Sequence, residues 1–158
     1  MSQMLPDNAS QSMTTAPPLP CPAIRLVAQR PPMLLVDALV HRDRPGNFSV
    51  VVATVPTNGV FLASDGQVIP EYFIELVAQG GASVNGFDAI TDNAGTTRGF
   101  LVGIDTFAWL GGAHSGEELR VELIKTFEFG PVTVMNGRVF NRADQLLAEG
   151  EIKAWEQP

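Results

Sequence analysis

The stretch Ile69-Pro70-Glu71-Tyr72-Phe73-Ile74-Glu75-Leu76-Val77-Ala78-Gln79-Gly80-Gly81-Ala82-Ser83-Val84-Asn85-Gly86 constrains this chain more than any other. It reads as one buried helix with a carboxylate in its middle. Proline suits a first helical position, where its missing N–H is no loss, and Glu71 falls in the first turn, where the helix dipole favours negative charge. From Tyr72 to Val84 nearly every residue is apolar or small, whereas a helix on a protein surface shows a polar stripe at every third or fourth position. The pattern predicts a helix wrapped on most sides. Glu75 is the exception, with Gln79 one turn on along the same face. A carboxylate in such surroundings is expensive unless partnered. It is either a structural acceptor for buried donors or a general acid or base, and periodicity alone leaves the two readings even.

With 158 residues the chain has the length of one domain, and a body of this size buries roughly two-thirds of its unfolded surface. Neither a disulfide nor a metal is required to hold it. The single cysteine, Cys21, has no intrachain partner, and the two histidines, His41 and His114, are far from it in sequence, so no metal site is expected and a reducing cytoplasm is the natural setting. The N-terminus lacks the basic region and apolar run of a signal peptide, and no stretch of the required length is free enough of charge to span a bilayer. Ten Lys and Arg against seventeen Asp and Glu give a net charge of −7, which argues against a nucleic-acid partner.

Residues 1–20 run without period and are rich in Ser, Thr and Pro, which predicts a disordered arm ahead of a single domain at 21–158. Residues 24–29 suit a short helical turn that Pro31 and Pro32 stop. Residues 33–40 form a candidate buried strand, 42–47 a polar turn, and the β-branched run 48–55 the returning strand of a hairpin. A loop over 57–67 leads to the central helix, which ends at Gly86 or in the Asp, Asn, Gly and Thr residues after it, and 88–97 reads as a mobile loop. Four strands follow, at 99–104, 118–127, 132–140 and 146–155. Polar and apolar residues alternate along them, as in Arg120, Glu122 and Ile124 against Val121, Leu123 and Lys125, so the sheet has one dry and one wetter face. Gly130-Pro131 and Asn141-Arg142-Ala143-Asp144 are turns between antiparallel neighbours. The fold class is α+β, with one long helix wrapped by a curved antiparallel sheet.

Hairpin, buried helix and strand meander together resemble the hot-dog fold, and the motifs over residues 28–156 are similar to those of its 3-hydroxyacyl-[acyl carrier protein] dehydratase branch. Gln29-Arg30-Pro31-Pro32-Met33-Leu34-Leu35-Val36-Asp37 resembles the family's opening H-R-x-P-x-L-L-V-D. Ile74-Glu75-Leu76-Val77-Ala78-Gln79 resembles its I-E-A-M-A-Q, Gly103-Ile104-Asp105 its G-I-D, and Ser115-Gly116-Glu117-Glu118-Leu119 its P-G-D-x-L. The resemblance implies that Glu75 is catalytic and that Gln79 supports it. The family's catalytic histidine has no counterpart in the corresponding run, 61–75, and the opening histidine is replaced by Gln29. In this the chain looks most like the divergent dehydratase-like proteins encoded with aryl-polyene and related polyketide or fatty-acid assembly systems.

The resemblance further implies an acyl thioester ligand, on acyl carrier protein or coenzyme A, with no redox cofactor and no metal. It implies a homodimer, or a hetero-pair with a related hot-dog subunit, with the acyl site between subunits. Without the histidine, Glu75 acts alone on a 3-hydroxyacyl thioester, activates water in a thioesterase, or belongs to a non-catalytic subunit that pairs with a complete dehydratase. His41 and His114 read as solvated loop histidines. Ser64 and Asp65, ahead of Gly66, read as turn formers in the region where the histidine would stand. Arg25, Arg30, Arg42 and Arg44 place four of the ten basic residues in one short stretch, either a solvated set or a surface for an acidic carrier protein.

Overall fold

The computed structural model describes residues 15–95 and 98–157. Seven antiparallel strands form one sheet against a single long helix. The strands are β1 (Cys21–Pro22), β2 (Ala38–Asp43), β3 (Phe48–Thr54), β4 (Arg98–Trp109), β5 (Glu118–Phe129), β6 (Val132–Phe140) and β7 (Leu146–Gln157), and the helix is α1 (Glu71–Thr91). Their order across the sheet is β1-β2-β3-β5-β6-β7-β4. This is the α+β architecture expected. Among the described residues no helix is long and apolar enough to cross a membrane.

The alternation along β5 places its residues as expected. Leu119, Val121 and Leu123 are buried beneath α1, while Arg120 and Glu122 point outward. The helix answers with Tyr72, Phe73, Leu76, Val77, Val84 and Phe87, all buried. Two glycines permit the approach. A Cβ on Gly137 of β6 would run into the side chain of Val77, and one on Gly86 would run into the carbonyl oxygen of Leu26. The second contact lays the segment after β1 across the helix, at the 3-10 turn Ala23–Arg25.

Several elements differ from the sequence reading. Residues 33–37 do not form a strand: Met33 closes a turn, 34–37 carry no regular element, and β2 starts at Ala38. Their backbone groups are used elsewhere: Met33 and Leu34 donate to the carbonyl of Arg30, and Leu35 donates to the side chain of Gln79. The strand read at 99–104 is longer and does not neighbour β5. That flank of β5 is taken by β3, from Phe48 opposite Ile124 to Thr54 opposite Glu118, so β4 pairs with β7 at the far edge. The predicted arm falls largely outside the described residues; 15–20 carry no regular element, and Pro17 is buried.

The helix also runs past Gly86 to Thr91, through part of the expected loop. Phe87 is buried there, and Asp88 receives Arg42 through Nε at 3.0 Å and Nη2 at 2.6 Å. Arg44 grips Asp92 with two bonds of 2.8 Å. The hairpin thus holds the helix end by two forks that match carboxylate geometry. These pairs differ in worth, because the Arg42 side chain is 4% exposed whereas Arg44 is 45% exposed. Asp88→Ala strands a buried guanidinium and should cost about 3 kcal/mol, the scale for breaking a buried pair, whereas Asp92→Ala should leave stability nearly unchanged. Urea unfolding of the two variants checks this.

Candidate functional site

Gln79 is 1% exposed and spends its amide on three partners. Its Oε1 accepts from the Leu35 N–H at 2.7 Å, and its Nε2 donates to the Met33 carbonyl at 2.7 Å and to Glu75 Oε1 at 2.9 Å. The i, i+4 spacing read from the sequence sets the last bond. The first two bonds were not legible. They join the helix to a segment some 44 residues earlier in the chain, and a glutamine is suited to them because its amide offers an acceptor and two donors.

Glu75 is half-buried. The sequence predicts a helix wrapped on most sides, but its own sheet covers only one side. Ile74, Glu75, Ala78, Ala82 and Asn85 lie on a flank of intermediate exposure. Gln79 therefore holds one oxygen of a carboxyl that stands on an apolar flank open to something outside this chain's core.

The start of the helix is braced from the sheet edge. The indole Nε1 of Trp109, at the end of β4, donates to the Pro70 carbonyl at 2.8 Å, and its ring lies 5.5 Å from that of Phe107. Nothing in the sequence singles out Trp109 except the G-I-D motif just upstream, Gly103-Ile104-Asp105. Beneath it, Tyr72 is fully buried between Phe61 and Phe73, and burial pushes its hydroxyl well above the ordinary tyrosine range, with Asp37 adding to the shift. Its hydroxyl has no hydrogen-bond partner among the described residues.

The other candidates take structural places. Asp65 Oδ1 accepts from the Gln67 N–H at 3.0 Å and Gly66 has φ of +82°, so Ser64 and Asp65 form the turn expected of them. His114 is exposed and bridges to Gln67 in the loop leading to the helix, and His41 is an exposed strand residue against Phe48. Arg42 and Arg44 are consumed by Asp88 and Asp92, and Arg30 turns back on the carbonyls of Val27 and Gln29. The four arginines are not one free basic surface. Cys21 is buried and unpaired, and burial raises its thiol pKa. A depression of about 280 Å³ lies away from Glu75, lined by Asp37, Thr54, Glu118, Arg120 and Arg142 among others. Its charges are paired with neighbours: Arg142 with Glu118 at 3.3 Å and Arg120 with Asp144 at 2.7 Å.

The edge strand is open on one side. β4 pairs only with β7, and Phe100, Leu101, Val102 and Ile104 along it are between 43% and 60% exposed. A twelve-residue edge strand that exposes these four apolar side chains is a surface that proteins ordinarily cover.

A family model described as ApeP-like, ApeP dehydratase, matches residues 21–158. No curated protein sequence matches the chain. Among solved structures, the dehydratase heterocomplex ApeI:P from Xenorhabdus doucetiae is similar at 19% identity, covering 87% of this chain and 92% of that one, with a TM-score of 0.78. The PaaI protein of the E. coli phenylacetic acid degradation operon is 14% identical over 74% of this chain and 80% of its own, TM-score 0.55. A hypothetical thioesterase of Streptococcus pneumoniae TIGR4, solved with coenzyme A, is 14% identical over 71% and 80%, TM-score 0.54. These likenesses establish the hot-dog fold.

The clamp makes a direct prediction. Gln79→Leu keeps the volume but leaves the buried Leu35 N–H and the Met33 carbonyl unpaired. It should cost about 3 kcal/mol in unfolding free energy, from roughly 1–3 kcal/mol per unsatisfied group.

Proposed function

The chain belongs to the ApeP-like dehydratase family, and on that premise we propose that it presents Glu75 to a 3-hydroxyacyl thioester at its junction with a second hot-dog subunit. The observation that carries this reading is the Glu75–Gln79 pair, a carboxyl held in place on a helix flank that the chain's own sheet leaves uncovered. The second subunit is supported by the open apolar edge of β4, and by the similar ApeI:P structure being a heterocomplex. The thioester is supported by the coenzyme A of the pneumococcal protein. A reducing cytoplasm fits the buried, unpaired Cys21.

Removing water from a 3-hydroxyacyl thioester breaks the C2–H and C3–O bonds and forms the C2=C3 double bond. One group takes the C2 proton, another protonates the departing hydroxyl, and N–H donors hold the thioester oxygen as charge develops on it. In this reading Glu75 performs the second task. Its carboxyl gives a proton to the hydroxyl, which leaves as water, and Gln79 Nε2–H steadies the carboxylate left behind. The first task falls to the partner, because the run 61–75 contains no histidine and the side chain that meets the Glu75 carboxyl on this chain is Gln79. The hetero-pair is therefore favoured over a homodimer, in which two copies of Glu75 would meet without a base. The similar hypothetical thioesterase of Streptococcus pneumoniae supports a second reading, in which Glu75 activates water against the thioester carbonyl.

Mass spectrometry of 3-hydroxyacyl thioesters incubated with the co-purified pair separates the two. The proposal expects an enoyl thioester, and a free acid would favour hydrolysis. Glu75→Gln should lower turnover about a hundredfold or more, the scale for losing a general acid, with the unfolding midpoint preserved because the amide keeps the shape and the bond to Gln79. Unchanged turnover in a folded Glu75→Gln variant would remove Glu75 from the reaction.

A further inference from the structure

An apolar trough runs between the flank of α1 that carries Glu75 and the helix-facing side of β4 and β7. A bond from helix to sheet marks each end. At the start of the helix Trp109 Nε1 donates to the Pro70 carbonyl, and toward its far end Asn85 Nδ2 donates to Glu156 Oε1. Between them the helix side is Ala78 and Ala82, both of intermediate exposure. Across from them stand the exposed Leu101 and Ile104 of β4, which register sets opposite Ala154 and Ile152. Directly opposed residues of an antiparallel pair share a face, and Ile152 faces the helix, since a Cβ on Gly81 would touch its side chain. Glu156 alternates onto the same face. Its carboxyl is held by Asn85 and by the hydroxyl of buried Thr133, and burial raises its pKa, which favours the uncharged form that an apolar neighbour tolerates. Asn85 Oδ1 has no hydrogen-bond partner among the described residues, so the bond to Glu156 is what fixes the amide across the trough.

Resting on the reading of Glu75 given above, we infer that the Asn85–Glu156 pair is the end stop for the acyl chain and sets the chain length this subunit accepts. Continuity selects the occupant. The trough begins at the carboxyl that stands beside C2 and C3 of the thioester, so the rest of the same acyl chain enters it, and its lining is apolar as far as the pair. Length then becomes a quantity. From Glu75 to Asn85 the helix rises about 15 Å at 1.5 Å per residue. An extended hydrocarbon with carbon–carbon bonds of about 1.5 Å advances about 1.25 Å per carbon, so the trough takes roughly ten to twelve carbons past C3. A longer chain has to part the amide from the carboxyl and leave both polar groups against hydrocarbon, unpaired.

The test is binding of straight-chain saturated acyl coenzyme A thioesters, octanoyl to stearoyl, to the full chain with its co-purified partner, read by native mass spectrometry. A saturated chain has no hydroxyl to lose, so binding is read apart from turnover, and circular dichroism confirms folding. Wild type should bind more tightly with added carbons up to about myristoyl and gain nothing beyond it. Asn85→Ala should move the optimum to palmitoyl or stearoyl, raising stearoyl against lauroyl about tenfold, the scale on which an apolar pocket discriminates length. Glu156→Gln, which keeps a hydrogen-bonding partner for Asn85, should keep the wild-type optimum. Ala82→Leu narrows the trough nearer to Glu75 and should weaken myristoyl about tenfold while sparing octanoyl. One optimum shared by wild type, Asn85→Ala and Ala82→Leu would overturn the end stop. A shifted optimum without enoyl product from the matching 3-hydroxyacyl thioesters would uphold the end stop and count against the dehydration reading alone.

Discussion

Everything around the site depends on one amide. Gln79 ties the backbone of Met33 and Leu35 to the central helix and holds a carboxyl by its remaining donor. The segment 33–37 lies just before β2, outside any strand, and Gln79 takes up the Leu35 N–H and the Met33 carbonyl. A leucine or methionine in place of Gln79 would fill the space but leave the buried Leu35 N–H and the Met33 carbonyl without their partner. The same bonds that make the fold stable there also fix where Glu75 stands, so positioning of the carboxyl and local stability are a single property of one side chain.

The helix that carries the pair is held at both ends by partners distant in sequence. At its start, Trp109 reaches the Pro70 carbonyl from the last residue of the edge strand. At its end, Arg42 and Arg44 of the hairpin fix Asp88 and Asp92. Between them Val77 sits on Gly137, and the helix lies close against the sheet. Rigidity at this level suits the proposed role, in which a proton donor is held in one position while a substrate and a second subunit approach it.

Much of this was legible in the chain. Pro70 and Glu71 mark the helix start, the alternation in β5 marks its buried face, and the i, i+4 spacing of Glu75 and Gln79 marks the pair. What was hidden is long-range. The place of β4 at the far edge follows from β3 having occupied β5, and nothing local to 98–109 encodes that. The helix outruns Gly86 because Phe87 finds the core and Asp88 finds Arg42, both tertiary effects that override local turn residues. The expectation of a helix wrapped on most sides differs from the structure in an informative way. Ile74, Ala78 and Ala82 are apolar, as on a covered flank, yet in the single chain they are half-exposed. That mismatch, together with the exposed apolar residues of β4, is what a subunit written for a partner looks like when seen alone.

The central claim is that the catalytic machinery is divided, with the carboxyl on this chain and the base on its partner. It is tested most directly by titrating this chain into a fixed amount of a histidine-bearing hot-dog partner and following enoyl thioester formation. A divided site predicts negligible turnover for either protein alone and activity that rises to a plateau at equal stoichiometry. It also predicts that activity is lost when either the partner's histidine or Glu75 is substituted. A partner that turns over the thioester as fast alone as in the pair, or a pair indifferent to Glu75→Gln, would contradict the account.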